Sequence, residues 1–177
     1  MRRDAIIVVV MLLAAPAVAQ ESKKEKAPLV EHRVELKDAK GAPVGTVTLT
    51  ETPSGVLIKG DLQNVPPGVH AIHIHDVGKC EPPFESAGGH FNPTHKSHGY
   101  ELKAGHHAGD LPNITVPETG KLQFEHLASD ITISKGESSL LDKDGAAIVI
   151  HASADDYETQ PSGASGNRIA CGEITKK

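Results

Sequence analysis

Histidine occupies alternate positions in the stretch AIHIHDVG, which runs from Ala71 to Gly78. In an extended strand, successive side chains point to opposite faces. His73 and His75 would therefore share one face, while the isoleucines beside them would face a core. Two imidazoles held side by side on a rigid strand can form half of a metal site. The alternative is that both are ordinary polar residues of a surface.

The eleven histidines of the chain are unevenly distributed. A surface role predicts scatter, but most of them lie between residues 70 and 107, around a single loop. The residues concerned are His73, His75, His90, His95, His98, His106 and His107, followed by Asp110. Imidazole and carboxylate together suit zinc, copper and similar ions. His151 is remote in sequence but ends the apolar segment AAIVIHA, which can lie beside the first strand.

Short apolar segments with a period of two predict the strands that must position these residues. They cover residues 34–36, 47–50, 56–60, 69–77, 122–125, 131–133, 146–152 and 168–174. Glycine, proline and histidine dominate residues 78–113, and a second long loop covers 153–167; loops of this length are usually functional or disordered. Amphipathic helices and internal repeats are not visible. The sequence therefore predicts an all-β sandwich or barrel with two large loops.

The N-terminal segment has the features of a secretory signal peptide: Arg2 and Arg3, an apolar run and an A-x-A site. We expect residues 1–19 to be removed, residues 20–29 to form a charged disordered linker, and residues 30–177 to form one domain. The apolar run is short for a membrane span, so we expect no stable membrane anchor. An uncleaved anchor helix is the alternative.

Composition limits the partners of the chain. Its formal net charge is −5 and it contains no Trp. Affinity for nucleic acids comes from cation–phosphate contacts and aromatic stacking, so we expect no nucleic-acid partner.

The two cysteines, Cys80 and Cys171, would form a disulfide in an exported protein, and two free buried thiols are the alternative. The sequence does not distinguish a monomer from a homodimer.

Six motifs follow one another in a recognisable order: HIH (73–75), AGGHFNP (87–93), HG (98–99), HAGDLPN (107–113), IHA (150–152) and GNRIACG (166–172). In order and spacing they resemble the copper/zinc superoxide dismutase family, from about residue 30 to the C-terminus. The signal peptide and the HAGDLPN form resemble the bacterial periplasmic type. The resemblance implies an immunoglobulin-like, Greek-key β-barrel or sandwich of about eight antiparallel strands. It also implies one copper and one zinc per chain and a periplasmic location.

The resemblance assigns a role to each matching residue. The implied copper ligands are His73, His75, His90 and His151. The implied zinc ligands are His90, His98, His107 and Asp110, so that His90 bridges the two metals. Asp155 would link His73 to His98 and fix the orientation of both rings. Arg168 would position the superoxide anion beside copper.

The implied disulfide between Cys80 and Cys171 would tie the start of the long loop to the strand that carries Arg168.

The implied function is dismutation of superoxide to dioxygen and hydrogen peroxide, with Arg168 and His90 as catalytic residues. A non-catalytic periplasmic protein that sequesters copper or zinc is the alternative. Asp155 and Arg168 favour catalysis, because a metal buffer needs no arginine that positions an anion. A dinuclear zinc hydrolase is disfavoured, because histidine-rich coordination leaves little Lewis-acid opening.

Three points stay open from the sequence. His106 and His95 are local rivals of His107 and His98, although the motif contexts H-x-G-D and H-G favour the latter pair. His70 is expected to be a buried, hydrogen-bonded residue and not a ligand. Acidic residues follow His151 where animal members of the family carry steering lysines, so the candidates for steering an anion are Lys79, Lys96 and Lys103.

Overall fold

The computed structural model describes residues 29–176. The predicted signal peptide, residues 1–19, and nearly all of the predicted linker, residues 20–29, lie outside the described residues. Within the described range, no helix has the length and apolar character needed to cross a membrane.

The regular structure of residues 29–176 consists of β-strands and one short 3₁₀ helix. The strands are β1 Glu31–Asp38, β2 Pro43–Thr52, β3 Gly55–Leu62, β4 Gly68–His70, β5 Ile72–His75, β6 Ile114–Val116, β7 Leu122–Ala128, β8 Ala146–His151 and β9 Arg168–Ile174, and the helix is Glu85–Ala87. Seven strands form one antiparallel sheet in the order β5-β8-β9-β1-β2-β3-β7, while β4 pairs with β6. A β1-β2-β3 meander is thus followed by crossings to the opposite edge of the sheet, and the all-β Greek-key prediction is confirmed.

Two predicted strands differ from the observed ones. Residues 69–77 do not form one strand, because the ladder breaks at Ala71 and β4 and β5 pair with different partners. Residues 131–133 form no strand, and Thr132 makes only an isolated bridge to Ser139. Ile131 and Ile133 are both buried in the core, so their alternation reflects burial of two side chains and not a ladder.

Strand β8 packs between two hydrophobic clusters. Ile148 and Ile150 lie in the main core, whereas Ala147 and Val149 on the opposite face pack in a second cluster with Phe84. Both faces are therefore buried, which accounts for the nearly continuous apolar sequence of this strand. His151 is the last residue of the strand and takes a fixed position from it.

A disulfide joins Cys80 to Cys171 across 91 positions, with a Cα–Cα distance of 5.8 Å. Cys171 lies in β9, three residues after Arg168, and Cys80 lies near the start of the long loop between β5 and β6. Phe84 anchors the same part of this loop in the second hydrophobic cluster. The first third of the loop is therefore held against the sheet by a covalent bond and by packing.

The long loop also covers the outer edge of β5. Ile74 N–H donates to Gly109 O at 2.8 Å, and Phe91 N–H donates to Ile74 O at 2.8 Å. A side chain on Gly109 would collide with the carbonyl oxygen of Ile74, so only glycine permits this approach. As a result the imidazoles of His73 and His75 are almost fully buried, and the face that carries them is not a solvent-facing surface.

Candidate metal centre

Two groups of ligand-type side chains meet beneath the long loop. The strand cluster comprises His73, His75, His90 and His151, and the loop cluster comprises His90, His98, His107 and Asp110. In each group, one ligand atom per residue lies within 4.8 Å of all the others. All seven residues are buried or nearly buried, and His90 is a member of both clusters.

Each ring of the strand cluster has one nitrogen bound to the protein and one directed into the cluster. His73 Nε2–H donates to Asp155 Oδ2 at 2.9 Å, and His75 Nδ1–H donates to Gly88 O at 3.0 Å. His151 Nδ1 faces Ser165 Oγ and Gly166 O. The remaining Nε2 atoms of His75 and His151 lie 3.3 Å apart. Such outer hydrogen bonds fix the tautomer and orientation of a metal-binding imidazole.

The loop cluster converges on one carboxylate oxygen. Asp110 Oδ1 lies 2.7 Å from His90 Nδ1, 3.0 Å from His98 Nδ1 and 3.4 Å from His107 Nδ1. The other oxygen, Oδ2, accepts hydrogen bonds from the backbone N–H groups of Gly99 and His107. The backbone thus fixes the carboxylate, and Oδ1 is left to face the three imidazoles.

Asp155 connects the two clusters. Its Oδ2 accepts from His73 Nε2–H, and its Oδ1 accepts from His98 Nε2–H at 3.0 Å. Gly163 packs so closely against this carboxylate that a Cβ would overlap Asp155 Oδ1, and its φ of +68° also favours glycine. The orientation of a ring in one cluster is therefore coupled to that of a ring in the other.

The support of Asp155 was not apparent from the sequence. Asn113 Nδ2–H donates to Asp155 O at 2.8 Å, and Asp155 N–H donates to Asn113 Oδ1 at 2.9 Å. The hydroxyl of Tyr157 accepts from Asn113 N–H at 2.7 Å. These bonds join residues more than 40 positions apart, and only the presence of Asn113 within the HAGDLPN motif gave a signal for any of them.

Three histidines of the strand cluster, His75, His90 and His151, have lowered pKa values that favour the neutral imidazole. Burial is the main reason that the pKa of His75 lies well below its ordinary value, and the neighbouring His90 adds to the effect. Burial also lowers the pKa of His151 to about 3, assisted by His73. In His90, burial outweighs the hydrogen bond to Asp110 and lowers the pKa to about 4. Neutral imidazole is the form that binds a metal ion.

The loop cluster carries charge instead. Burial opposes a charge on His98, but hydrogen bonds to Asp110 and Asp155 outweigh it and raise the pKa of His98 to about 9. Burial likewise opposes ionisation of Asp110, yet hydrogen bonds from His107, His90 and His98 hold its pKa well below the usual range. The raised pKa favours a proton on His98 beside Asp110 and Asp155, and a divalent cation bound in the loop cluster would take the place of that proton.

The residues present fit two metal ions. His73 Nδ1 and His90 Nε2 are buried and have no hydrogen-bond partner, which is costly unless something else occupies the strand cluster. In a tetrahedral zinc site with bonds of 2.0–2.1 Å, ligand atoms lie about 3.3 Å apart, close to the separations around Asp110 Oδ1. Imidazoles alone suit copper or zinc, and three imidazoles with a carboxylate suit zinc.

A cavity of about 430 Å³ opens over the strand cluster. Its lining includes His75, His90, His151 and Arg168. Arg168 Nη1–H donates to Phe84 O at 2.6 Å and Nη2–H donates to Gly88 O at 2.7 Å, so the guanidinium is fixed by the disulfide-bonded loop. A fixed cation beside a buried histidine cluster can bind and orient a small anion.

The structure also separates the rival residues. His98 and His107 belong to the loop cluster, whereas His106 packs against Tyr100 and lies 3.7 Å from Asp130, and His95 is in neither cluster. His70 is buried and bonds to the carbonyl oxygens of Pro66 and His151, as expected for a structural residue.

The three lysines named as candidates for steering do not line the cavity. Lys79 pairs with Glu81 and Lys96 lies near Asp130, while Lys103 is exposed. The acidic residues Asp156 and Glu158 after His151 do not line the cavity either. The carboxylate of Asp156 instead accepts hydrogen bonds from Glu158 N–H and from Thr159 within its own turn.

Comparisons with known proteins agree with this geometry. Residues 43–174 match the family model of copper/zinc superoxide dismutase (SODC). Superoxide dismutase [Cu-Zn] 1 of Aquifex aeolicus is 43% identical over 161 residues, covering 89% of this chain and 90% of the relative. Superoxide dismutase [Cu-Zn] of Escherichia coli is 33% identical over 184 residues, covering 98% and 99%.

A solved structure shares the fold closely. The crystal structure of a SOD-like protein from Bacillus subtilis matches with a TM-score of 0.79 and 41% identity, covering 83% of this chain and 99% of that chain. On these grounds, and with both histidine clusters in place, the chain belongs to the copper/zinc superoxide dismutase family, a family of oxidoreductases.

Proposed function

We propose that the protein converts two superoxide anions and two protons into dioxygen and hydrogen peroxide, with one copper in the strand cluster and one zinc in the loop cluster. The observation that carries the proposal is the position of His90. Its Nδ1 lies in the loop cluster beside Asp110, and its Nε2 is unpartnered and buried in the strand cluster. A single imidazole can therefore serve as a ligand on both sides.

When bound, copper would supply one-electron chemistry by cycling between two oxidation states, and zinc would supply a constant charge. His73, His75, His90 and His151 would hold the copper, and His90, His98, His107 and Asp110 the zinc. His90 Nε2 is the ring atom that can hold a proton on the side of the cavity and return it to the product. Asp155 keeps both clusters in register through its two carboxylate oxygens.

Arg168 binds and orients the substrate. Two backbone carbonyls hold its guanidinium, and the group lines the same cavity as three histidines of the strand cluster. Lysine is a flexible point charge and would not reproduce this fixed fork. Because superoxide is a small anion, a positive charge at the end of the cavity increases its local concentration and aligns it with the cluster.

The test combines metal content with superoxide consumption. Reconstituted protein should hold one copper and one zinc per chain by mass spectrometry, and dismutation measured by pulse radiolysis should vanish when copper is removed. Arg168→Ala should retain both metals and slow turnover by about tenfold at low salt. Bound metal without dismutation would support the alternative, a protein that only sequesters copper or zinc. That alternative matters because one relative is described only as SOD-like.

We also propose that residues 1–19 direct export to the periplasm, that residues 20–29 form a linker and that residues 30–177 form the mature domain. The disulfide between Cys80 and Cys171 supports export, since such bonds persist in oxidising compartments. The test is the mass of the protein recovered from a periplasmic extract. A full-length mass in the cytoplasmic fraction would contradict the proposal.

A further inference from the structure

Glu85 lies beside the residue that binds the anion. Its carboxylate oxygen Oε2 is 3.6 Å from Arg168 Nη2, and its side chain lines the same cavity as His75 and His90. The side chain of Glu85 is 76% exposed, whereas that of Arg168 is only 15% exposed. The carboxylate therefore sits on the solvent side of the guanidinium, at the entrance to the cavity.

The backbone holds Glu85 in this place. The preceding residue, Phe84, has a buried side chain and a positive φ of 77°, which is rare for a bulky residue. Glu85 then begins the short helix Glu85–Ala87, whose last residue is buried. Because Phe84 O also accepts from Arg168, the segment that positions the arginine positions Glu85 as well.

The charge around the entrance is simple. Among the cavity-lining residues in the described part of the chain, Arg168 is the one Lys or Arg and Glu85 is the one Asp or Glu. Asp110 in the loop cluster and Asp155, which joins the two clusters, are both buried and do not line the cavity. An anion that enters the cavity thus meets a cation whose field is partly cancelled by an adjacent carboxylate.

We propose that Glu85 is a specificity-determining residue that weakens the binding of anions at Arg168, and that it does so more strongly for dianions than for monoanions. The inference rests on the proposed function, for which Arg168 is the anion-binding residue. The energy of an ion in a fixed potential is proportional to its charge. The loss of binding free energy that Glu85 causes is therefore about twice as large for a dianion such as hydrogen phosphate as for a monoanion.

This bias suits a substrate that carries one negative charge and reacts as soon as it arrives. Slower capture of superoxide costs turnover in proportion to the lost attraction, but tightly held dianions would block Arg168 for longer. A carboxylate next to the guanidinium reduces the second effect more than the first. The exposed position of Glu85 also means that its influence is screened at high ionic strength.

The experiment compares Glu85→Gln with Glu81→Gln in the copper- and zinc-loaded protein. Glu81 is a matched control because it lies on the same loop, is exposed and pairs with Lys79, and it does not line the cavity. Azide affinity is measured from the visible absorption of the copper site, and phosphate affinity at pH 8 from its competition with azide. Superoxide consumption is measured in parallel at low and high ionic strength, set with sodium perchlorate.

Glu85→Gln should strengthen azide binding about threefold and phosphate binding about ninefold, and should raise the dismutation rate at low ionic strength about threefold. Glu81→Gln should change each quantity much less. Equal effects of the two substitutions, or weaker azide binding in Glu85→Gln, would overturn the proposal. Failure of the proposed function would be seen separately, as wild-type protein that binds copper and azide but does not consume superoxide.

Discussion

The two clusters that share His90 are built in opposite ways. In the strand cluster, His73, His75 and His151 come from β5 and β8, which are supported by the core. In the loop cluster, His98 and His107 come from an irregular segment whose position depends on backbone hydrogen bonds to Asp110. The strand cluster contains only imidazoles, several with lowered pKa values, whereas the loop cluster contains a carboxylate and a histidine of raised pKa.

This difference matches the work proposed for each metal. The imidazoles of the strand cluster are carried by two packed strands, so their positions should change little when the charge of a bound ion changes. This cluster also borders the cavity on one side. A set with a buried carboxylate favours an ion of constant charge and closes around it, as structural zinc sites do. We therefore expect a substitution in the strand cluster to abolish dismutation. A substitution in the loop cluster should mainly disturb the structure of the site.

The largest effect is expected from removing one ligand of each cluster in turn. His75→Ala should abolish copper binding and lower dismutation by more than about 100-fold, while zinc is retained. His107→Ala should release zinc but leave copper bound, with a loss of about tenfold or less. Metal analysis and pulse radiolysis measure both variants. His106→Ala is the control, since His106 neighbours His107 but lies in neither cluster, and loss of metal in that variant would contradict the assignment.

A smaller effect should appear in Asp155→Asn, which tests whether the clusters act together. Asp155 receives one hydrogen bond from each cluster, so its loss should weaken both copper and zinc binding by about 10–100-fold. Competition with chelators measures the two affinities. Asp156→Asn should leave both unchanged, because its carboxylate binds only its own turn. A change confined to one metal would show that the clusters are independent.

The smallest effect concerns the metal-free protein and pH. The pKa values of His90 and His151, about 4 and about 3, lie below the ordinary 6.5, so stability is lost as pH falls from 6.5 towards 4. The pKa of His98 is raised to about 9, so its contribution is present below pH 6.5 and is lost as pH rises towards 9. The melting temperature of the metal-free protein should therefore be highest near pH 6.5.

Circular dichroism at pH 4.5, 6.5 and 9 checks this expectation. Zinc should flatten the alkaline side of the curve, because the ion replaces the proton on His98. A melting temperature that rises steadily up to pH 9 in the metal-free protein would be inconsistent with a protonated His98.

Features that depend on neighbouring residues could be predicted from the sequence, whereas features that depend on residues far apart in the chain could not. His73 and His75 were recognisable because alternation is a local property of a strand, and His70 was correctly expected to be buried. The choice of His98 and His107 over their neighbours needed a resemblance, since it depends on backbone groups that bind Asp110. Contacts such as Arg168 to Glu85 join residues more than 80 positions apart, and spacing gives no signal for them.

The break at Ala71 had the same origin. A continuous apolar pattern predicted one strand over residues 69–77, but its two halves pair with β6 and β8, which lie far apart in the chain. Pairing partners, and not the local pattern, decided where that strand ended.

The covering of β5 by the long loop has a consequence for solubility. Strand β5 is the last in the sheet order, and the backbone bonds of Ile74 to Gly109 and Phe91 occupy an edge that would otherwise be unpaired. The same loop carries His98, His107 and Asp110. An unpaired edge is a template for association with another chain. The loop that carries these candidate metal ligands thus also covers the sheet edge to which a neighbouring molecule could add a strand.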